Sequence, residues 1–310
     1  MSKWLITSNI IQRFIPGPVT TTGGIIEDDG DYRYHIFTGS GDFNFEGGSS
    51  SQGLNIEFLI VAGGGSGGNG WYGAGGGAGG FLEGSGSIFN GLYPVVIGDG
   101  GPNIPNNDFA GLNGSDSSFF DQTAIGGGGG GGGEGIGTNA DPPLIQRAGK
   151  DGGSGGGGSN TGAGGTSIQT DTSLANGYGN DGGTSIFEGD FSSTGAGGGG
   201  ASQSGSDSSS TGGDGGDGLT WTLPSSIATS HNVGEVISDE VWFAGGGGGA
   251  PVNDNSPGGT GGKGGGSDGA GGGVIAAPSN TGGGGGGERA SSDTDTSGGS
   301  GVVIIRYKIQ

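Results

Sequence analysis

The longest glycine run of the chain is "GGGGGGGGEG", from Gly126 to Gly135. Glycine loses more conformational freedom on folding than any other residue, so such a run opposes ordinary helices, strands and side-chain cores. Shorter runs such as "GAGGGAGG" and "GGGGGG" recur, and 81 of the 91 glycines lie between residues 61 and 300. This part of the chain must be disordered or held together by something other than side-chain packing.

The segments between the runs carry aromatic residues such as Phe81, Tyr93 and Phe119, which are not typical of a solvated linker. The glycines do not keep the strict Gly-X-Y period of collagen. In a left-handed helix with three residues per turn, six to eight glycines would span roughly 20–25 Å, and their N–H and C=O groups would bond to neighbouring rods. The runs therefore predict a polyglycine-II bundle, in which an Ala, Ser or Asn faces outwards or marks the end of a rod.

Strand-forming sequences stand on both sides of the glycine. "YRYHIF" alternates from Tyr32, "DFNF" follows a turn-like "TGSG", and "LNIEFLIVA" becomes continuously apolar, as in a strand buried on both faces. "YPVVIG" (residues 93–98) is a further strand, and in the closing "GVVIIRYKI" every second residue from Val303 would share one face. The sequence predicts a mainly β protein with essentially no α-helix, whose N- and C-terminal strands form a small β-sheet or β-sandwich platform for the inserted bundle.

Three regions follow from these patterns. Residues 1–30 contain two prolines and several glycines and are expected to form an N-terminal arm or attachment segment. Residues 31–62, together with 93–98 and 301–310, are expected to form the platform. Residues 63–300 are expected to form the glycine-rich bundle and the variable loops between its rods.

Composition excludes several partners. The chain carries 9 Lys and Arg against 30 Asp and Glu, a formal net charge of −21, whereas binding a phosphate backbone requires clustered cations. Nucleic acid is therefore not expected as a partner. No stretch approaches the roughly 20 apolar residues of a membrane-spanning helix, so membrane insertion is not expected either. The absence of cysteine excludes disulfides and thiolate catalysis.

Chemistry-bearing motifs are few. His35 and His231 have no accompanying nucleophile, so the chain is not expected to be an enzyme. "GGDGGDGLT" (residues 212–220) fits one calcium-binding nonapeptide, but such a site needs stacked copies, and acidic clusters such as Glu27 to Asp31 are more typical of a solvated surface. No metal, cofactor or catalytic residue is expected.

Recognition is expected in the segments between the runs, because loops on a rigid scaffold commonly carry binding. Aromatic side chains are favoured contact residues. The candidate receptor-binding residues, each beside a glycine run or polar neighbours, are Trp71, Tyr72, Tyr178, Trp221 and Trp242. For each of them, packing at the edge of the bundle is the alternative role. The segments concerned are 102–125, 136–151, 166–194, 201–211, 219–243, 250–257, 274–281 and 288–297.

The ordered motifs "DYRYHIFTGSGDFNF", "IEFLIVAGGGSGG", "GAGGGAGGF", "YPVVIGDGG", "GLNGSDSSFF" and the closing "GGSGVVIIRY" resemble the glycine-rich domain of phage tail-fibre and adhesin proteins of the marine phage type. The resemblance covers roughly residues 30 to 310. The construction is also similar to the fibre-tip adhesins of some T-even-type phages, in which glycine-rich motifs build a polyglycine-II sandwich.

The resemblance implies a receptor-binding protein on a virion tail fibre, made in the host cytoplasm and extracellular after release. Its partners would be a bacterial outer-surface protein or glycan and other fibre or virion proteins, and a homo-trimer is one assembly open to it. A virion structural or decoration protein that acts as a spacer is the alternative. An ice-binding protein would need regular rows of Thr or Ala, which these irregular segments do not provide.

Overall fold

The computed structural model describes residues 19–47, 53–104, 109–133, 144–186, 194–251, 253, 256–270, 276–289 and 295–309. Strands and two short helices account for its regular elements. They are β1 (Thr20–Thr22), β2 (Ile25–Asp29), β3 (Tyr32–Phe37), β4 (Gly41–Glu46), β5 (Leu54–Val61), β6 (Phe81–Ile88), β7 (Gly91–Val96), β8 (Ser117–Phe119), β9 (Gln122–Ala124), α1 (Leu144–Arg147), β10 (Ala175–Tyr178), β11 (Leu219–Thr220), α2 (Ser225–His231), β12 (Glu235–Ile237), β13 (Glu240–Phe243) and β14 (Val302–Lys308).

Two antiparallel sheets form a β-sandwich. The five-stranded sheet has the order β1-β4-β7-β8-β9, and the six-stranded sheet has the order β10-β6-β5-β14-β3-β2. Their facing side chains form one apolar core, in which Phe119 of the first sheet contacts Phe58 of the second with ring centroids 5.8 Å apart. The predicted mainly β platform, with essentially no α-helix, is confirmed.

The C-terminal strand β14 lies between β3 and β5, so the strands that bracket the glycine do meet in space. Val303, Ile305 and Tyr307 face the sandwich core as predicted, whereas Ile309 lies beyond the strand and is exposed. Strand β5 alternates at its start and is buried on both faces at its end, also as predicted. The apolar end of β5 is explained by a second core on the other face of the six-stranded sheet.

This second core joins the six-stranded sheet to helix α2 and to a three-stranded sheet of order β11-β13-β12. Ile36 and Ile304 of the six-stranded sheet pack there with Ile227 of α2 and Phe243 of β13. The six-stranded sheet is thus the central layer of the platform. Helix α2 has two buried residues in seven, too weak a pattern to predict from sequence.

The N-terminal region differs from the predicted arm of residues 1–30. Strands β1 and β2 lie within it and pair with β4 and β3. Gly23 and Gly24, both with positive φ, connect the two strands and let the chain pass from one sheet to the other. The platform therefore begins before residue 30, and residues 1–18 lie outside the described residues.

The glycine runs form a lattice of parallel and antiparallel rods. Successive N–H groups of the run 63–69 donate in turn to the segments 109–115, 296–299 and 74–77, with N···O distances of 2.8 to 3.1 Å. This order repeats every three residues, which is the repeat of a polyproline-II-type helix. Hydrogen bonds between rods thus replace the side-chain core, as the runs predict.

The run 63–69 has six neighbours, because its carbonyl groups accept bonds from a second set of segments. These donors lie in the segments 127–133 and 285–288 and at Gly101. A rod that donates in three directions and accepts from three others has the coordination of hexagonal packing. The run 74–80 is surrounded in the same way, so both runs are interior rods.

The rods share one hand. Among the described glycines of the runs, positive φ occurs only at the ends of rods, at Gly70, Gly264, Gly265 and Gly282. Within the rods the glycines therefore keep the negative φ of polyproline II. Because all rods have the same hand, each presents its main-chain N–H and C=O groups with the same three-residue repeat.

The rods are close enough to exclude side chains. A Cβ built on Gly67 would lie 2.0 Å from the carbonyl oxygen of Gly286, and one on Gly129 would lie 2.2 Å from that of Gly111. The prediction that non-glycine residues face outwards or end a rod is wrong for some residues. Ala78 lies inside a run with its methyl group in the second core, and Ser66 lies inside a run, where its buried hydroxyl accepts a bond from the N–H of Leu112.

Acidic side chains complete the lattice at its surface. Seven Asp residues each accept, through one carboxylate oxygen, the main-chain N–H of a residue on a nearby segment. An N–H on the outer side of a rod has no neighbouring rod to donate to and needs another acceptor. The carboxylate oxygen replaces the main-chain carbonyl that accepts such a bond inside the bundle. These seven acidic residues therefore have a structural role. The residues are Asp116, Asp151, Asp181, Asp207, Asp214, Asp217 and Asp268.

Candidate functional site

The bundle has two ends with different surroundings. One end adjoins the sandwich, since the rods continue directly from β5 at Ala62 and into β6 after Gly80. The opposite end, here called the distal end, is where the run 63–69 stops and the chain turns back through residues 70–73. Bridges at this end join Gly70 to Gly133, among other pairs. The distal end is therefore a set of rod ends held in one layer.

Most described turns at the distal end are short. The chain reverses there through residues 70–73, 159–162 and 208–212. The segments 134–143, 187–193, 271–275 and 290–294 lie outside the described residues. Parts of the predicted recognition segments 136–151, 166–194, 274–281 and 288–297 fall among them.

Other predicted recognition segments lie at the sandwich end. Residues 219–243 form the three-stranded sheet and helix α2, and residues 117–124 of the segment 102–125 belong to the five-stranded sheet. Chain reversal after every rod explains this alternation, because successive connections must lie at opposite ends. Several predicted segments therefore have described residues at both ends, as 201–211 does, which begins beside Ala244 at the sandwich end and reaches the distal turn at Ser208.

Trp71 lies at the distal end and is 37% exposed. The guanidinium of Arg289 lies over its indole ring, 4.8 Å from the ring centroid. A cation over an indole face is attracted by the ring quadrupole, which fixes both side chains relative to the rods. Trp71 and Arg289 thus form an ordered, partly exposed pair at the end of the bundle.

Tyr72 is the candidate that the structure buries at the distal end. Its side chain is 6% exposed, and burial raises the pKa of its hydroxyl. Its main-chain carbonyl accepts a bond from the hydroxyl of Ser159 at 2.7 Å. Tyr72 packs into the end of the bundle, which is the alternative role stated for it above.

Tyr178, Trp221 and Trp242 lie at the sandwich end, so the structure does not bring the five candidates together. The Tyr178 hydroxyl donates to Glu83 at 3.0 Å, and its ring packs edge-on against Phe81. Lys263 lies 4.8 Å from the ring centroid of Trp242, and all three candidates are half-buried. Trp221 borders the second core and a groove beside it.

His35 is part of a buried network between the two sheets. Its Nδ1 donates to the carbonyl of Gly23 at 2.7 Å, which leaves Nε2 to accept the hydroxyl of Thr21 at 3.0 Å. The Tyr307 hydroxyl donates in turn to Thr21 at 2.5 Å. Burial lowers the pKa of His35, so the imidazole is held neutral in a structural position.

The acidic motifs have partners within the chain. Asp214 and Asp217, the acids of the nonapeptide-like stretch, accept the N–H groups of Thr260 and Lys263. In the acidic cluster near the N-terminus, Asp28 pairs with Arg33 at 2.6 Å. Among the described residues, no group of three or more His, Cys, Asp or Glu side chains is arranged to hold a metal ion. In the same part of the chain, no helix is long and apolar enough to cross a membrane.

The protein is therefore, by its structure, a glycine-rich protein in which a β-sandwich carries a polyglycine-II bundle. The family model of the glycine-rich domain matches residues 38–308, which is most of the chain. The chain therefore belongs to the glycine-rich domain family. No curated protein shows significant sequence similarity to it.

Proposed function

We propose that this chain is an adhesin of a phage tail fibre that attaches the virion to a bacterial surface through the distal end of its bundle. The observation that carries the proposal is the arrangement of the rods, whose ends form one layer remote from the sandwich. Loops held on a rigid support lose little entropy when they bind, because they are ordered beforehand. The sequence motifs quoted above, which resemble phage fibre proteins, support the same function.

The Trp71–Arg289 pair is the part of the distal end with the chemistry of an interface. Trp and Arg are enriched among residues that dominate binding energy. The indole ring is partly exposed, and its orientation is fixed by the guanidinium. We therefore propose Trp71 as a receptor contact on a bacterial outer-surface protein or glycan.

The sandwich is then the end that faces the remainder of the virion. Its outer surface carries exposed apolar side chains such as Leu92, at 61%, and Val96, at 46%. Under this proposal its partners are other fibre or virion proteins, including copies of this chain in a homo-trimer. The protein acts without a catalytic step, in the virion and outside the cell.

The test uses the full chain, labelled with a fluorophore and incubated with a panel of bacterial strains. We expect saturable adsorption to some strains, and a loss of affinity of about tenfold or more for Trp71→Ala, as for a binding hot spot. Leu92→Ser is the matched control, because it changes an exposed apolar residue at the opposite end.

Two results would decide against this proposal. Absence of adsorption to every strain would favour the spacer, whose contacts lie only within the virion. Equal adsorption by wild-type and Trp71→Ala protein, with a loss for Leu92→Ser, would move the contact to the sandwich. Thermal unfolding of each variant shows whether a loss reflects misfolding.

A further inference from the structure

A groove of about 290 Å³ runs between the six-stranded and three-stranded sheets, away from the distal end. Its floor is the part of the six-stranded sheet that the three-stranded sheet leaves uncovered, and the segment 220–222 after β11 forms one wall. Hollows that share residues with it continue along the segment 172–176 on one side and past Asp239 on the other. The whole depression, here called the sheet groove, is long and shallow.

Polar side chains cover the floor in two cross-strand rows. Ser85, Glu57 and Arg306 occupy paired positions on β6, β5 and β14. Asn176 and Glu83 occupy the next row on β10 and β6. Paired positions in a sheet place side chains on the same face, so hydroxyl, carboxylate, guanidinium and amide groups all line the groove.

Arg306 makes this floor rigid. Its Nη2 and Nε donate to Glu57 at 2.5 and 2.8 Å, and its Nη1 donates to the carbonyl of Thr222 at 2.9 Å. The guanidinium also lies 5.0 Å from the ring centroids of both Tyr32 and Trp221. Burial alone would lower the pKa of Arg306, but the bonds to Glu57 and Tyr34 outweigh it and raise the pKa, so the positive charge is retained and offsets the Glu57 carboxylate.

The chemistry of the groove selects a particular kind of ligand. Adjacent donors and acceptors suit a molecule with many hydroxyl groups, and the half-buried Trp221 ring offers an apolar edge for C–H groups. The hollow is too shallow and polar to hold the aromatic or aliphatic anchor of a peptide. Its length suits a chain of several units.

We propose that the sheet groove binds a neutral oligosaccharide. Asn176, Thr220 and Glu83 supply hydrogen bonds to its hydroxyl groups, and Trp221 contacts a ring face or edge. This site lies at the sandwich end and is separate from the distal end, so it does not depend on the proposed adhesion by Trp71. Oligosaccharide binding here would give the protein a second contact with a glycan.

The test is an array of immobilised neutral hexose and N-acetylhexosamine oligosaccharides, probed with the full chain, followed by titration of the retained sugars. We expect binding that changes little between about 0.1 and 1 M salt, because the ligand carries no charge. The double variant Asn176→Ala/Thr220→Ala, which changes two exposed residues, should bind about tenfold or more weakly. Thr123→Ala, on the outer face of the five-stranded sheet, is the matched control and should bind normally.

Glu83→Gln provides a second variant that keeps an acceptor for Tyr178 while it removes the charge. A carboxylate accepts more strongly from a sugar hydroxyl than an amide does, so a weaker but measurable affinity is expected. Retention of no neutral sugar, or equal retention by the double variant, would overturn the proposal. Salt-sensitive binding of a lysine-rich peptide in place of a sugar would also overturn it, because the acidic residues would then select a cation.

Discussion

Asp151 accepts two hydrogen bonds from Thr166 through one oxygen, Oδ1, which lies 2.7 Å from the main-chain nitrogen and 2.8 Å from the hydroxyl. Thr166 is exposed on the outer side of the bundle. The carboxylate thus serves as the acceptor at the edge of the lattice. The same bonds lower the pKa of Asp151, because they favour its ionised form.

Asp151→Ala should destabilise the bundle by about 0.5–1 kcal/mol near neutral pH, a modest amount because water competes for an exposed N–H. Asp151→Asn keeps an acceptor and should lose less. Because the folded pKa lies below the ordinary value of 3.8, this stability is present above that pH and is lost as the pH falls through the folded pKa. Denaturant titrations across this range measure it, and an equal loss for Ala and Asn at neutral pH would contradict the role of the carboxylate as an acceptor.

Gly129→Ala should destabilise the protein by about 1–3 kcal/mol or more, since overpacking forces neighbouring groups to move. The new Cβ would lie 2.2 Å from a main-chain oxygen of Gly111, which cannot rotate away as a side chain can. Gly39→Ala is the control, because no atom lies within 4 Å of a Cβ built there. Thermal unfolding compares the two, and equal midpoints would exclude close contact between rods.

Amide hydrogen exchange should show strong protection in the runs 63–69 and 74–80. Every N–H of these runs donates to another segment, so exchange requires the lattice to open. The turn at Gly30 and Asp31, which is exposed, should exchange rapidly and serves as an internal reference. Exchange of the glycine runs at the rate of this turn would be incompatible with the lattice.

Stability should fall as the pH decreases below about 6.5, the ordinary pKa of histidine, because His35 is buried in its neutral form. Its folded pKa is lowered, so the unfolded chain takes up a proton first, and stability is lost until the folded pKa is reached. His35→Gln should be less stable at neutral pH but should lose this part of the pH dependence. Urea midpoints of both proteins, measured above and below pH 6.5, give the change in stability with pH. The same change in both proteins would rule out His35 as the source of this pH dependence.

Arg306→Lys should cost about 1–2 kcal/mol, because a lysine cannot bond to Glu57 and Thr222 together and stacks poorly between two rings. Arg33→Lys is a matched control, since Arg33 also bonds bidentately to an acid, but its side chain is more exposed, at 32% against 14% for Arg306. Ion pairs near the surface contribute little to stability, so Arg33→Lys should lower the free energy of unfolding by less than about 1 kcal/mol. If both variants lost a similar free energy of unfolding in chemical denaturation, the contacts of Arg306 with Glu57 and Thr222 would add no stability beyond that of a surface ion pair.

The sequence predicted the parts of this fold that depend on local periodicity. Alternation located β3, β4 and β14, and the uninterrupted apolar end of β5 indicated its burial on both faces. The glycine runs indicated rods, because only glycine allows main chains to approach so closely. These features are properties of neighbouring residues and need no knowledge of tertiary contacts.

Strand β6 was not predicted, because Gly84 and Gly86 interrupt its pattern. In the fold a Cβ on Gly84 would lie 2.6 Å from the ring of Phe58, and one on Gly86 would lie 2.7 Å from that of Phe120. The glycines leave room for rings from elsewhere in the sequence. That requirement is tertiary, and the sequence of the strand does not reveal it.

The sequence indicated the surroundings of the candidate residues only in part. Trp71 is exposed at the distal end, but the burial of Tyr72 depends on how neighbouring rods end around it. The role of the acidic residues also depends on the fold, since each Asp bonds to a residue on another segment. Their frequent position beside a glycine run was the available signal.

The hydrogen bonds of the interior rods run across the bundle axis, in three directions, while the covalent chain runs along it. A pull on the distal end would thus load these bonds in shear, and many at once, because each interior rod is bound to six neighbours. The backbone of each rod would carry the tension, and the hydrogen bonds between rods would distribute it to the neighbouring rods before any single rod slipped. This mechanical strength would require no hydrophobic core in the bundle and no disulfide.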